Sequence, residues 1–233
     1  MKVSIYSILF LVFLMRCCPI DAQNIDLGFS GGVSYYVGEI NPSTQVLNQP
    51  MPSVGIFYRK NINKRYALRH GVNYAKLSAA EETRSTALSE YRQLSFSSDL
   101  WEAYSMLEFN FLPYKINDKS TSPFSPYVFI GLAIFRVNPT ASGRLFSDVE
   151  SSMISVSIPF GLGLKFHFAG NLGLGIEWGM RKTYTDNIDG LPSQYENGYQ
   201  LSNTQNNDWY SILGVTLNYK FLTDKDKCNM PRF

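Results

Sequence analysis

The chain is short of most of what a chemical site in a soluble protein draws on. Of its 233 residues three are cysteines, and Cys17 and Cys18 both fall in the first 22. Without that leading segment Cys228 stands alone, which excludes an intrachain disulfide framework. The two histidines, His70 and His167, have no ligand-spaced Cys or His beside them, so the usual zinc patterns are absent. Charged residues make up only 17%. Setting aside Lys2, Arg16 and Asp21 leaves 21 − 2 = 19 basic and 19 − 1 = 18 acidic residues. A balance of +1 carries no electrostatic footprint for nucleic acid. After residue 22 no apolar run approaches the ~20 residues of a spanning helix, so any membrane role falls to strands. Gly161-Leu162-Gly163 and Gly173-Leu174-Gly175 look like fragments of a nucleotide loop, but strand alternation runs straight through them where that loop needs a helix. No Ser-His-Asp set can be assembled from spacing. No cofactor is expected, and the residues by themselves offer no catalytic set.

Residues 1–22 read as a signal peptide. Lys2 is the positive start, Val3 to Met15 the apolar stretch, and Ile20-Asp21-Ala22 the small-residue cleavage point. Arg16 directly before the cysteine pair spoils a lipidation box, so export rather than anchoring is expected.

What the chain has in abundance is alternation. From Met153 the sequence reads M-I-S-V-S-I-P-F-G-L-G-L-K-F-H-F, then Ala169-Gly170-Asn171, then L-G-L-G-I-E-W-G-M-R-K-T-Y. Ile154, Val156, Ile158, Phe160, Leu162, Leu164, Phe166 and Phe168 occupy every second place, with serines, glycines, Lys165 and His167 between them. A period of two puts one set on each face of a strand. Strands this long, apolar on one face and small or polar on the other, suit a membrane barrel, where a span takes about 9–11 residues. The same pattern marks Ile25–Gly38, Ser53–Ile62 (blurred by adjacent Arg59 and Lys60), Tyr66–Leu77, a strand through Trp101 to Phe111, Tyr127–Val137, and Asp208–Phe221, where Ser211 is counted as inward. The expectation is therefore all-β: an eight-stranded antiparallel transmembrane outer-membrane β-barrel over residues 23–221, with a periplasmic C-terminal tail at 222–233.

Connections support that layout. Long polar loops at about Glu39–Pro52, Ala79–Gln93, Asn138–Ser152 and Asn187–Asn207 would face outward, and short turns inward, as in outer-membrane barrels. Aromatic residues sort into two girdles, with Tyr35, Trp101, Tyr184 and Trp209 above and Tyr66, Phe111, Tyr127, Phe168, Tyr219 and Phe221 below. The inward row carries Glu102, Glu108, Lys165, Glu177, Arg181 and Lys220. An eight-stranded interior is just wide enough for side chains, and buried charge must be paired, so these six are expected to form an ion-pair plug rather than line a pore. Glu177 and Arg181 are too far apart to pair with each other. Lys165 or Lys220 is the candidate partner for Glu177, and Glu102 or Glu108 for Arg181. His70 falls on the outward row, where a bland role near the periplasmic rim is expected.

Four blocks then resemble the PorG family: Gly31-Gly32-Val33-Ser34-Tyr35-Tyr36-Val37-Gly38-Glu39-Ile40-Asn41-Pro42, Ser157 to Gly163, Glu177-Trp178-Gly179-Met180-Arg181-Lys182-Thr183-Tyr184-Thr185-Asp186, and Asn206-Asn207-Asp208-Trp209-Tyr210-Ser211. The resemblance implies a small outer-membrane component of the type IX secretion system of Bacteroidota. It implies outer-membrane lipid as surroundings, the periplasmic PorK/PorN ring as partner, and no nucleic acid or small-molecule substrate. A small barrel for adhesion or surface protection, or a lipid-modifying barrel enzyme, are the other classes compatible with the residues.

Two features exceed what a minimal barrel needs. One is the long turn Pro113–Ser125. The other is the tail, where Lys225, Lys227 and Arg232 offer steering charge, Met230 and Phe233 an apolar anchor, and Cys228 a free thiol. Together they are the expected partner-docking surface.

Overall fold

The computed structural model describes residues 25–38, 49–80, 95–116, 121–143, 146–150, 152–185, 187–190 and 207–220. The signal peptide, Phe221 and the tail with Lys225, Lys227, Cys228, Met230, Arg232 and Phe233 lie outside them.

Nine strands follow in chain order: β1 (Ile25–Val37), β2 (Met51–Asn61), β3 (Tyr66–Ala80), β4 (Ser95–Asn110), β5 (Phe124–Gly143), β6 (Phe146–Glu150), β7 (Met153–Ala169), β8 (Leu172–Thr183) and β9 (Trp209–Lys220). Each pairs antiparallel with its neighbour, and β1 pairs with β9, so eight strands close into a barrel. β6 pairs only with the upper end of β5. It turns most of the expected loop Asn138–Ser152 into a hairpin that carries β5 beyond the barrel, because Asn138 to Gly143 continue the β5 alternation.

The register is continuous. One circuit from Ile25 passes through Lys60, Leu68, Leu107, Ile130, Phe160, Met180 and Ser211 and returns to Tyr35. The path closes 35 − 25 = 10 residues further along β1. A shift of ten over eight strands, at ~3.3 Å per residue and ~4.8 Å between strands, tilts them by roughly 40°, as closed barrels of this size require. Pro159 in β7 has no N–H to give, and the β5–β7 pairing skips the positions beside it. The β7–β8 turn is the two residues Gly170-Asn171, with Gly170 at φ 51°, which glycine adopts without strain.

Burial follows the predicted faces with three corrections, the first being Tyr35, expected in the upper girdle but buried, with its hydroxyl accepting from the Trp178 indole. Leu27, Phe29, Val54, Ile56, Ile130, Leu132, Ile134, Ile154, Leu162 and Val215 are exposed on the outside, an apolar belt that suits lipid and not water. Ser211 stands on the outward row, paired with Tyr35 and Met180, and Tyr210 and Ile212 point inward. The parity of Trp209 and Leu213 already required this. Tyr127 is no girdle residue: it is buried in the lumen, since the apolar residues on both faces of β5 hide its phase. Arg59 points in and Lys60 out, each in step with its own row.

Large and small side chains interlock inside. Phe129 wedges between β7 and β8 at Gly161 and Gly179, where an added Cβ at either glycine would sit 2.7 Å from its Cζ.

Candidate functional site

The lumen is the densest concentration of chemistry in the chain. Its centre is Glu108 on β4, fully buried. Three cations from three other strands converge on its carboxylate. Arg59 Nε lies 2.8 Å from Oε2 and Arg69 Nε 2.9 Å from Oε1. Lys165 Nζ lies 2.5 Å from Oε2 and also donates to Asn110 Oδ1 at 2.8 Å. Arg69 reaches on to Glu177 at 2.6 Å, and Tyr127 donates to the same oxygen at 2.8 Å.

The partner of Glu177 is therefore Arg69, and neither Lys165 nor Lys220. Adjacent strands were the natural place to look, yet β3 and β8 meet only across the lumen. Lys220 instead donates to the Ile116 carbonyl at 3.0 Å. Arg181 stands 3.4 Å from Glu102, which also accepts from Tyr210 (3.0 Å) and Asn73 (2.9 Å). Aromatic faces cover the cations. Arg59 lies 5.0 Å and Arg69 5.2 Å from the Phe57 ring centroid, and Lys165 lies 4.3 Å from that of Tyr127, an arrangement that stabilises desolvated cations.

The sequence reading missed Arg59, Arg69 and Tyr127. Arg69 was recoverable, since it shares its parity with inward Ala67 and Asn73. Arg59 was masked by Lys60.

Both ends of the lumen are lidded. At the upper end Tyr36, Leu77, Phe96, Leu100, Phe135 and Val137 form an apolar cluster that takes in Ile188 from the β8–β9 connection. That connection is tied down where Tyr36 donates to Asp189 at 3.0 Å and the Ile188 N–H donates to Asp208 at 3.0 Å. At the lower end the β4–β5 turn folds inward. Tyr114 and Ile116 are buried, and the Tyr114 N–H donates to the Lys64 carbonyl at 2.9 Å. Burial pushes the Tyr114 hydroxyl up to about 12. Tyr114 and Ile116 thus cap the barrel from below, within the turn Pro113–Ser125 expected to face a partner; residues 117–120 of that turn lie outside the described residues. Gly173 makes room for the cap, with an added Cβ falling 2.8 Å from Ile116 Cδ1. Gly173→Leu is expected to expel the turn at about 1–3 kcal/mol, the usual cost of overpacking. Trypsin acting from the lower side should then cut after Lys115, while the barrel stays heat-modifiable on gels.

His167 sits near the lower rim, 2.9 Å from the Gly170 carbonyl. His70 is not at that rim. It lies four residues from lower-girdle Tyr66 and four from Tyr74, which pairs with upper-girdle Trp101, roughly 13 Å along the strand from each. Among the described residues no group of three His, Cys, Asp or Glu side chains could hold a metal.

Residues 4–230 match the family described as "Domain of unknown function (DUF6089)". No curated protein matches the sequence. Among solved structures, Neisserial surface protein A aligns at 14% identity over 84% of this chain and 97% of its own, with a TM-score of 0.46. The N-terminal β-barrel domain of Pseudomonas aeruginosa OprF aligns at 14% over 84% and 98%, with 0.44. The attachment invasion locus protein Ail of Yersinia pestis, in complex with a heparin analogue, aligns at 11% over 85% and 99%, with 0.46.

Proposed function

The chain belongs to the DUF6089 family, and on that premise we propose that it is a non-enzymatic outer-membrane component of the type IX secretion system that works through its surfaces and meets the periplasmic ring of PorK/PorN type. The observation that carries this reading is the filled lumen. Glu108, Arg59, Arg69 and Lys165 are buried at its centre and both ends are capped. A barrel filled in this way has no conduit of its own, so its contribution to secretion is scaffolding.

The blocks that resemble the PorG family support the same reading. They include Tyr36, Glu177, Arg181 and Asp208, all of which take part in lumen or lid contacts. The likeness therefore reaches part of the interior and the upper lid, but not Glu108 or the three cations gathered on it.

Chromosomal deletion is expected to abolish release of secreted cargo while other outer-membrane proteins stay in place. Crosslinking of the tagged native protein in outer membranes should recover ring proteins. Normal secretion with lost surface binding would overturn the proposal in favour of adhesion, and normal secretion with altered lipid A in favour of an enzyme.

A further inference from the structure

The outer face of the barrel is not uniform. Among the described residues, the outward side chains between the two girdles are Leu, Ile, Val, Phe, Met, Pro, Gly and Ala, apart from Ser211, which lies just below Trp209 and donates to the Gly179 carbonyl at 2.9 Å, and four others. Trp178 is one, and its indole N–H donates to the Tyr35 hydroxyl at 2.7 Å. The other three are Tyr58, His70 and Ser105. They come from β2, β3 and β4, and the register sets them side by side in one row, Tyr58 opposite His70 and His70 opposite Ser105. Tyr58 and His70 stack with centroids 6.1 Å apart. The charged outward residues Lys60, Lys76 and Lys182 are placed toward the strand ends and Arg136 opposite upper-girdle Trp101, where long side chains reach the headgroups.

Tyr58 and His70 of this row border a furrow. A cavity of about 550 Å³ opens among Leu27, Phe29, Ile56, Tyr58, His70 and Val72. A second, of about 200 Å³, continues upward past Val72 and Ala103 to Trp101, Ile134 and Arg136. Ala103 is the small outward side chain in its wall, and the backbones of Gly28 and Gly71, whose missing side chains would point into the lumen, line its floor. The furrow thus begins at the polar row and climbs toward the upper girdle.

We propose that this furrow across β1–β5 seats a membrane-spanning segment of another protein, which presents a hydrogen-bonding group to the Tyr58–His70–Ser105 row. Hydrocarbon offers such side chains nothing, and polar groups facing the bilayer interior mark functional surfaces. A lipid carries its own hydrogen-bonding groups at the headgroup level, roughly 12 Å from His70 if the apolar band is ~25 Å tall. It can fill the furrow but cannot meet the row. A second copy of this chain would bring furrow against furrow, and two concave surfaces leave each other unfilled. A convex segment with one polar side chain at mid-depth satisfies both shape and chemistry. This inference rests on the outer face alone and stands apart from the secretion reading.

The test is photocrosslinking in native outer membranes. p-Benzoylphenylalanine replaces Ile56 on the furrow rim and, as control, Leu162 on the far side at a similar depth; both are exposed. The expected result is a protein adduct from position 56, with none from 162. Its crosslinked peptide should lie in a membrane-spanning segment that bears a polar side chain. In a His70→Leu/Ser105→Leu background, which should stay heat-modifiable, adduct yield should fall at least tenfold. Equal adducts at both positions, adducts to lipid only, an adduct to a second copy, or a yield unchanged by the double substitution would each overturn the proposal.

Discussion

Glu108→Gln is expected to destabilise the barrel by about 3–5 kcal/mol, because removing one member of a buried ionic group leaves the others uncompensated. The carboxylate of Glu108 is shared by Arg59, Arg69 and Lys165. Arg69 keeps Glu177 as a second partner at 2.6 Å, and Lys165 keeps no anion, just the neutral oxygen of Asn110 and the Tyr127 ring. Adding Lys165→Met to Glu108→Gln should therefore recover part of the loss, since it takes one stranded cation out of the low-dielectric lumen. The reference is Asp99→Asn, at the exposed pair in which Lys76 Nζ and Asp99 Oδ1 are 3.7 Å apart. Exposed pairs of that kind contribute about 0–1 kcal/mol. Urea unfolding of protein reconstituted in bilayers measures all three. A Glu108→Gln loss no larger than that of Asp99→Asn would show that Glu108 does not hold the interior together.

Leu162→Arg should cost about 2–4 kcal/mol, and Phe166→Arg only about 0–1, because the penalty for a cation on the lipid face falls from midplane to interface. Both residues are on β7 and both face outward. Phe166 pairs with Phe124 at the lower end of β5, close to the headgroups, and Leu162 pairs with Val128, further into the belt. Insertion into bilayers, read by heat-modifiability and then by urea titration, should separate the two variants. Equal losses would contradict either the assigned face or the assigned depth.

The alternation of Ile154 to Phe168 and of Leu172 to Met180 determined strand, face and membrane class without help. A period of two is a local property, and each residue carries its share of it. The inward placement of Glu102, Glu108, Lys165, Glu177, Arg181 and Lys220 was legible for the same reason. The phase of β5 was not, since Tyr127, Phe129 and Phe135 are as apolar as the outward residues between them, and nothing local says which set turns in.

Partnership lay beyond the sequence altogether. Arg69 and Glu177 are 108 residues apart on strands that are not neighbours, and only the closure of eight strands with a shift of ten brings them across the lumen to one another. The inward fold of Tyr114 and Ile116 had no sequence signal, because a long turn reads alike whether it reaches into solvent or back into its own barrel. What decided it was the space beside Gly173. The row of Tyr58, His70 and Ser105 is of the same kind: three unremarkable polar residues on separate strands, aligned by a register that hydrogen bonding between whole strands sets and no single segment contains.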